Sequence, residues 1–480
     1  MLLHPGSRRE RRPGKILRSR SVIIRFLASK SLSLMPLGVP GLKRVLITIF
    51  VLAAVVAIVS CGNSNSSSTT ANTNNGPSKL KFRVFVSNPL FPSGVGSHIP
   101  AVNIVDATLD QLSRSVISLS ASSTQPGLMA LSPNLQFTMI YSSTGNTLTL
   151  LNNSTESIAQ TTGGGTVPSI TLPGFTESMF IGNANTTGYA AVPTAPVIGQ
   201  NPGAVEVLNL LNGSIAASIS IPSAHFIVPS PDGNHILVFS DNSDTVTVIT
   251  TIAIGTTTDP RSYITGFDRP VWAIFNDNNT AYVLNCGAQC GGKTASVGVV
   301  DVGASSITST TPVSAATYGL LNGSKLYVAG TPPGGTNTCS GTKTAATSCG
   351  RLSVVETGSM TVASSATITD GYHDRMQLSQ DGQLFIGSHS CTNVISASEI
   401  RGCLTILNTN NSNIVVPPQN GDVTGIQPIT GRAIVYLIQN GVFYIYDTTT
   451  DLLQVTPTNG LNNNGQVDII GQLYDLKLVD

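Results

Sequence analysis

The sequence predicts an all-β protein, a β-propeller of four-stranded blades closed into a ring. Three observations predict it. Short apolar runs of five to seven residues end at turn signals, as in HFIVPSPDGNHILVFSDNSDTVTVITT at 225–251. Such units recur at spacings of 39 to 58 residues. Charged residues are only 10% of the chain, while Gly, Ser, Thr and Asn abound, a composition suited to strands and turns. One blade cannot bury both faces of its sheet alone; stacking blades in a ring does so and leaves only short edges.

The units align on their third strand. In chain order these strands are 102–107, 147–152, 205–210, 246–251, 297–302, 352–357, 404–409 and 443–448. A second strand precedes most of them, at 84–88, 137–142, 235–240, 280–285, 325–330, 383–388 and 433–438. Turn residues stand before several of these, for example Asp232-Gly233, where glycine takes positive φ without steric cost. A weaker fourth strand follows at 115–120, 216–221 and 364–369. The count is eight blades; seven is the alternative if 177–221 forms no blade of its own. Two stacked β-sandwich domains are a competing architecture that the regular repeat disfavours. The first unit, 82–120, lacks a first strand, and the tail offers QVDIIG (466–471) and LYDLKLV (473–479). Pairing of the C-terminal strand with the N-terminal blade would close the ring.

The segments VFVSN at 84–88 and AYVLN at 281–285 resemble the YVTN-type, YncE-like propeller repeats. The resemblance spans roughly 82–480. It implies the fold and carries no particular activity.

Residues 1–60 hold eleven Lys or Arg and one acid, Glu10; residues 61–480 hold 14 bases and 23 acids. A mature chain lacking the first segment is therefore acidic, which argues against nucleic acid as a partner. Lys43-Arg44, the apolar run at 45–60 and then Cys61 describe a secretory signal. Ile58-Val59-Ser60-Cys61 resembles the lipobox of bacterial lipoproteins, which implies cleavage before Cys61 and its acylation. Two or more acyl chains anchor stably where one is marginal. An uncut transmembrane anchor is the competing reading. Residues 1–34 read as a mis-assigned start or a long basic leader, and 35–60 as the signal peptide. Gly62 after the lipidated Cys leans, by the same resemblance, toward the outer membrane or cell surface. Residues 61–79 form a Ser/Asn/Thr tether and 80–480 the propeller domain.

Six further cysteines fall in close pairs: Cys286 with Cys290, Cys339 with Cys349, and Cys391 with Cys403. In an oxidising compartment proximity favours these local disulfides among the several pairings open. A metal site is disfavoured, because the spacing at 286–290 is not CxxC and no His lies near.

The face carrying the loops 88–101, 193–203, 331–350 and 388–403 is the expected binding surface. Asp268-Arg269 and Asp374-Arg375, with His373, enter innermost strands at the channel mouth. They read either as groups converging on a ligand or as ion pairs and caps that orient the crossovers. His225 likewise lies at an inner strand. No catalytic or cofactor-binding motif is present, and Trp272 is the single Trp, so no cofactor is expected. Two functions remain. The first is a monomeric, lipid-anchored module that binds an envelope protein or glycan. The second is a lactonase-like hydrolase or lyase, disfavoured because only four Glu follow Glu156.

Overall fold

A computed structural model describes residues 77–94, 97–119, 127–333, 349–392, 394–396, 399–400, 402–454 and 465–480. The signal region, Cys61 and nearly all of the tether lie outside the described residues. The protein is an eight-bladed propeller. Blade 1 contains strands Arg83–Gly94, Ser97–Asp106 and Gln111–Ser118, with Leu476–Leu478 as its innermost strand. Blades 2 to 8 begin at inner strands Met129–Leu131, Ser178–Ile181, Ala224–Pro229, Pro270–Phe275, Tyr318–Asn322, Tyr372–Leu378 and Val423–Pro428. Each continues outward through three further antiparallel strands. The degenerate unit at 177–221 forms blade 3 in full.

The two-residue period of a strand explains why the ring has no single core. Leu237, Phe239, Val246 and Val248 of blade 4 pack on Ala273, Ala281 and Val283 of blade 5. The alternate residues Ile236, Val238 and Ile249 pack on Val205 and Val207 of blade 3. Every blade-to-blade junction holds such an apolar cluster. The last joins Tyr436, Ile438 and Phe443 of blade 8 to Val84, Val86 and Leu476 of blade 1.

Closure uses the tail as expected: Val84 pairs with Leu478, Phe85 with Lys477 and Val86 with Leu476. The segment 466–471 forms no strand, only a bridge between Gln466 and Tyr444. At the same seam Arg83 donates to Asp480 (2.6 and 2.7 Å), to Glu156 of blade 2 (2.8 Å) and to the Asn153 carbonyl (2.7 Å). Arg432 of blade 8 donates to Asp110 of blade 1 at 2.7 Å.

One local expectation changes. In place of a loop at 88–101, residues 88–94 and 97–101 are an extended, bulged continuation of the blade 1 hairpin, because pairing satisfies backbone groups that a loose loop would leave to solvent. The fourth strand of blade 2 is split into Ser157–Ile158 and Ile170–Thr171, both paired with Thr147–Asn152. Disulfides Cys286–Cys290 and Cys391–Cys403 are formed. Cys349 is also disulfide-bonded, and Cys339 lies outside the described residues.

Candidate functional site

Inner strands of the blades start on the face that carries the crossovers and the second-to-third-strand loops. Their first residues surround a cavity of about 910 Å³ at the channel mouth, to which seven blades contribute. One backbone device recurs there. In blades 4, 5, 7 and 8 the inner strand has an extra residue near its start, after the first pair with the second strand in blades 4, 5 and 8 and after the second pair in blade 7. The extra residues are His225, Val271, Asp374 and Thr424, and all four line the cavity. A bulge turns a side chain out of the regular alternation, so repeated bulges bring residues from separate blades to one place.

His225 is held on both sides. Its Nδ1 lies 2.7 Å from Asp241 Oδ1 and its Nε2 2.7 Å from Glu177 Oε2. Desolvation pulls its pKa down, but the hydrogen bonds and charges of Asp241 and Glu177 prevail and raise it to about 9. The ring is therefore an imidazolium at neutral pH, tying the blade 3 crossover to blade 4. Across the mouth, Asp374 Oδ2 lies 3.3 Å from Arg375 Nη1 and 3.5 Å from His389 Nδ1. The hydrogen bond that His389 donates to Asp374 raises the pKa of His389. Arg375 also donates from Nε to the Thr424 carbonyl at 3.3 Å.

Five residues stood out in the sequence at this mouth, and the structure separates them. Arg269, Asp374 and Arg375 line the cavity. Asp268 turns away: its carboxylate accepts from the Lys293 and Thr294 backbone N–H groups at 2.7 to 3.0 Å, fixing the loop behind Cys290. His373 is fully buried, with Nε2 donating to the Thr369 carbonyl at 3.0 Å. Desolvation lowers its pKa to about 4. Arg269 sits at φ 56° and donates to the Asn242 carbonyl.

Aromatic rings also line the cavity. Phe175 and Tyr474 are 44% and 41% exposed, and Phe175 packs edge-on against Tyr141 with ring centroids 6.1 Å apart. Glu177, Asp241, Phe175 and Tyr474 carried no motif. The one available signal was position, since Glu177 immediately precedes an inner strand. Gly371, at φ 95°, leads into Tyr372; a Cβ there would stand 2.4 Å from the His389 carbonyl oxygen, so only glycine fits. Among the described residues no three His, Cys, Asp or Glu side chains are placed to hold a metal ion.

His225 and His373 predict opposite limbs of a stability profile. His225 has a folded pKa above its ordinary 6.5, so its contribution is complete below about pH 6.5 and lost as pH rises through about 9. His373 has a folded pKa below 6.5, so stability falls as pH drops from about 6.5 toward 4. Denaturant titrations across this range should show His225→Asn flattening only the alkaline limb and His373→Gln only the acid limb. Unchanged slopes in both variants would contradict these assignments.

No known protein family matches the sequence. No curated protein matches it either. Solved structures do. The hydrazine synthase of Kuenenia stuttgartiensis is 14% identical, with 68% of this chain and 96% of that one covered and a TM-score of 0.50. The dihydro-heme d1 dehydrogenase NirN in complex with DHE is 10% identical, with 84% and 76% covered and a TM-score of 0.54. The Dos1 propeller is 9% identical, with 72% and 86% covered and a TM-score of 0.51. At such identities the likeness is one of fold, and these neighbours include enzymes.

Proposed function

We propose that this chain is an extracytoplasmic binding module of the YVTN type, anchored through lipid on Cys61, that takes its ligand in the cavity at the channel mouth. The observation that carries the reading is the convergence of bulged residues from four blades on one cavity with exposed aromatic rings. Loops and crossovers on a rigid ring supply recognition without moving the scaffold. The tether at 61–79 would hold the ring near the membrane and free to tilt. The acidic mature segment disfavours nucleic acid as the partner, and the module would act as a monomer.

The geometry speaks against His225 as a catalytic base, since both ring nitrogens are engaged and the ring is already protonated at neutral pH. One observation favours the enzyme reading: His389 is half-exposed, oriented by Asp374, and could accept a proton. A hydrolase or lyase would then use His389 and Asp374 as base and orienter.

The test is an envelope-extract pull-down with the wild-type chain and a Ser143→Trp variant. Ser143 is exposed at the cavity edge, so tryptophan there narrows the cavity without disturbing a blade. The expected result is a component retained by the wild type and lost with Ser143→Trp. Equal retention by both would refute the cavity as the site. Cys61→Ala should accumulate an uncleaved precursor; normal processing and acylation of that variant would refute the anchor.

A further inference from the structure

The chemistry of the cavity wall narrows the ligand class, on the premise that the cavity is the binding site. Its ionic groups are already compensated in place. Glu177 and Asp241 share His225, and Asp374 faces Arg375 and His389. Arg269 lies 3.8 Å from Asp244. Asp422 accepts from the Ser390 N–H at 2.8 Å. An incoming anion or cation would have to displace one of these partners, so the wall offers little net pull on either sign.

What remains open is hydrogen-bonding capacity of both kinds. Ser143 offers a hydroxyl and Asn242 and Gln472 an amide each, all three residues being exposed and able both to donate and to accept. All three residues line the cavity. A hydroxyl group can donate and accept at once, so a ligand dense in hydroxyls meets this mixed set without bringing charge. Phe175 and Tyr474, both partly exposed, line the same cavity. A pyranose ring presents a face of C–H bonds whose slightly positive hydrogens complement the negative face of an aromatic ring.

We infer that the cavity binds a neutral oligosaccharide, its hydroxyls on Ser143, Asn242 and Gln472 and a sugar face on Phe175 or Tyr474. A zwitterionic peptide or an acidic sugar fits less well, because each needs an uncompensated charge.

Calorimetric titration of the detergent-solubilised full chain tests this. The probes are cello-, malto- and chito-oligosaccharides as the neutral series, oligogalacturonate as an acidic sugar, and a zwitterionic tripeptide. At least one neutral series should bind, with affinity falling about tenfold in Phe175→Ala. Phe175 is exposed, so the variant should keep the wild-type melting temperature; Tyr474→Ala serves as the second aromatic variant. Failure of every neutral series overturns the inference. So does binding of the acidic sugar or the peptide in preference, and if that binding is lost with Ser143→Trp, the cavity survives as a site with a different ligand class. Neutral-sugar binding indifferent to Phe175→Ala, Tyr474→Ala and Ser143→Trp alike places the sugar elsewhere and overturns both readings.

Discussion

Deleting residues 472–480 is expected to abolish cooperative folding of the whole ring, not to fray one edge of it. The segment supplies the innermost strand of blade 1 and part of the junction with blade 8. Leu473, Leu476 and Val479 are each at most 2% exposed. Burying three such side chains contributes about 5 to 8 kcal/mol in total. That is comparable to the about 5 to 15 kcal/mol that separates a typical folded domain from its unfolded chain. Hydrogen bonds across the seam go as well. The Ser87 N–H loses the Asp475 carbonyl at 2.9 Å, and the Met129 N–H of blade 2 loses the Asp475 carboxylate at 2.8 Å. Removal would also turn strand Arg83–Gly94 into an exposed edge, a template for aggregation. Circular dichroism melts and size-exclusion profiles of the truncated chain should show loss of the transition and association. A melting temperature equal to that of the full chain would mean that the tail strand does not hold the ring closed.

The second large effect is expected at Arg83. Its side chain is 10% exposed and forks between Asp480 at the C-terminus and Glu156 of blade 2, whose side chain is 3% exposed. The hydrogen bond to Asp480, joined by the hydrogen bond and charge of Glu156, outweighs the desolvation of the guanidinium, and its pKa is raised. Arg83→Ala leaves Glu156 buried with only Ser78 as a side-chain partner among the described residues, while Asp480 regains water. Breaking a buried pair in this way costs about 3 to 5 kcal/mol. Urea unfolding should show a lower midpoint with an unchanged slope. Arg83→Lys should recover part of the loss, because an ammonium carries the charge but cannot make the two-pronged contact. Pairing Arg83→Ala with Glu156→Gln should cost less than the sum of the two, since the stranded carboxylate is then gone. Strict additivity would show that the two side chains do not interact.

Much of the ring was legible in the sequence because its signals are local. Alternation over six residues, a turn at Asp232-Gly233 and a recurrence near fifty residues need no distant partner to be seen. The second and third strands accordingly lie within a residue or two of their expected places in most blades. The tail strand was legible for a different reason: the first unit visibly lacked a partner. The weak outer strands were less legible. Those of blades 7 and 8, Ile414–Val415 and Leu452–Leu453, pair over only two residues and leave a faint pattern. The cavity was legible only in part. Asp268 and Arg269 are neighbours in sequence, yet the positive φ at Arg269 sends one into a loop and the other to the cavity. His373 and Asp374 part company through the bulge between them and the second strand.

By itself, then, the sequence determined the repeat, the strands within it and the close cysteine pairs Cys286–Cys290 and Cys391–Cys403, since each depends on residues a few positions apart. Only the tertiary structure decided which side chains share the channel mouth. Glu177 meets His225 across 48 positions, and His225 reaches the cavity through a register shift that no alternation pattern records. Convergence of this kind is a property of the closed ring, where several blades bring the starts of their inner strands to one place.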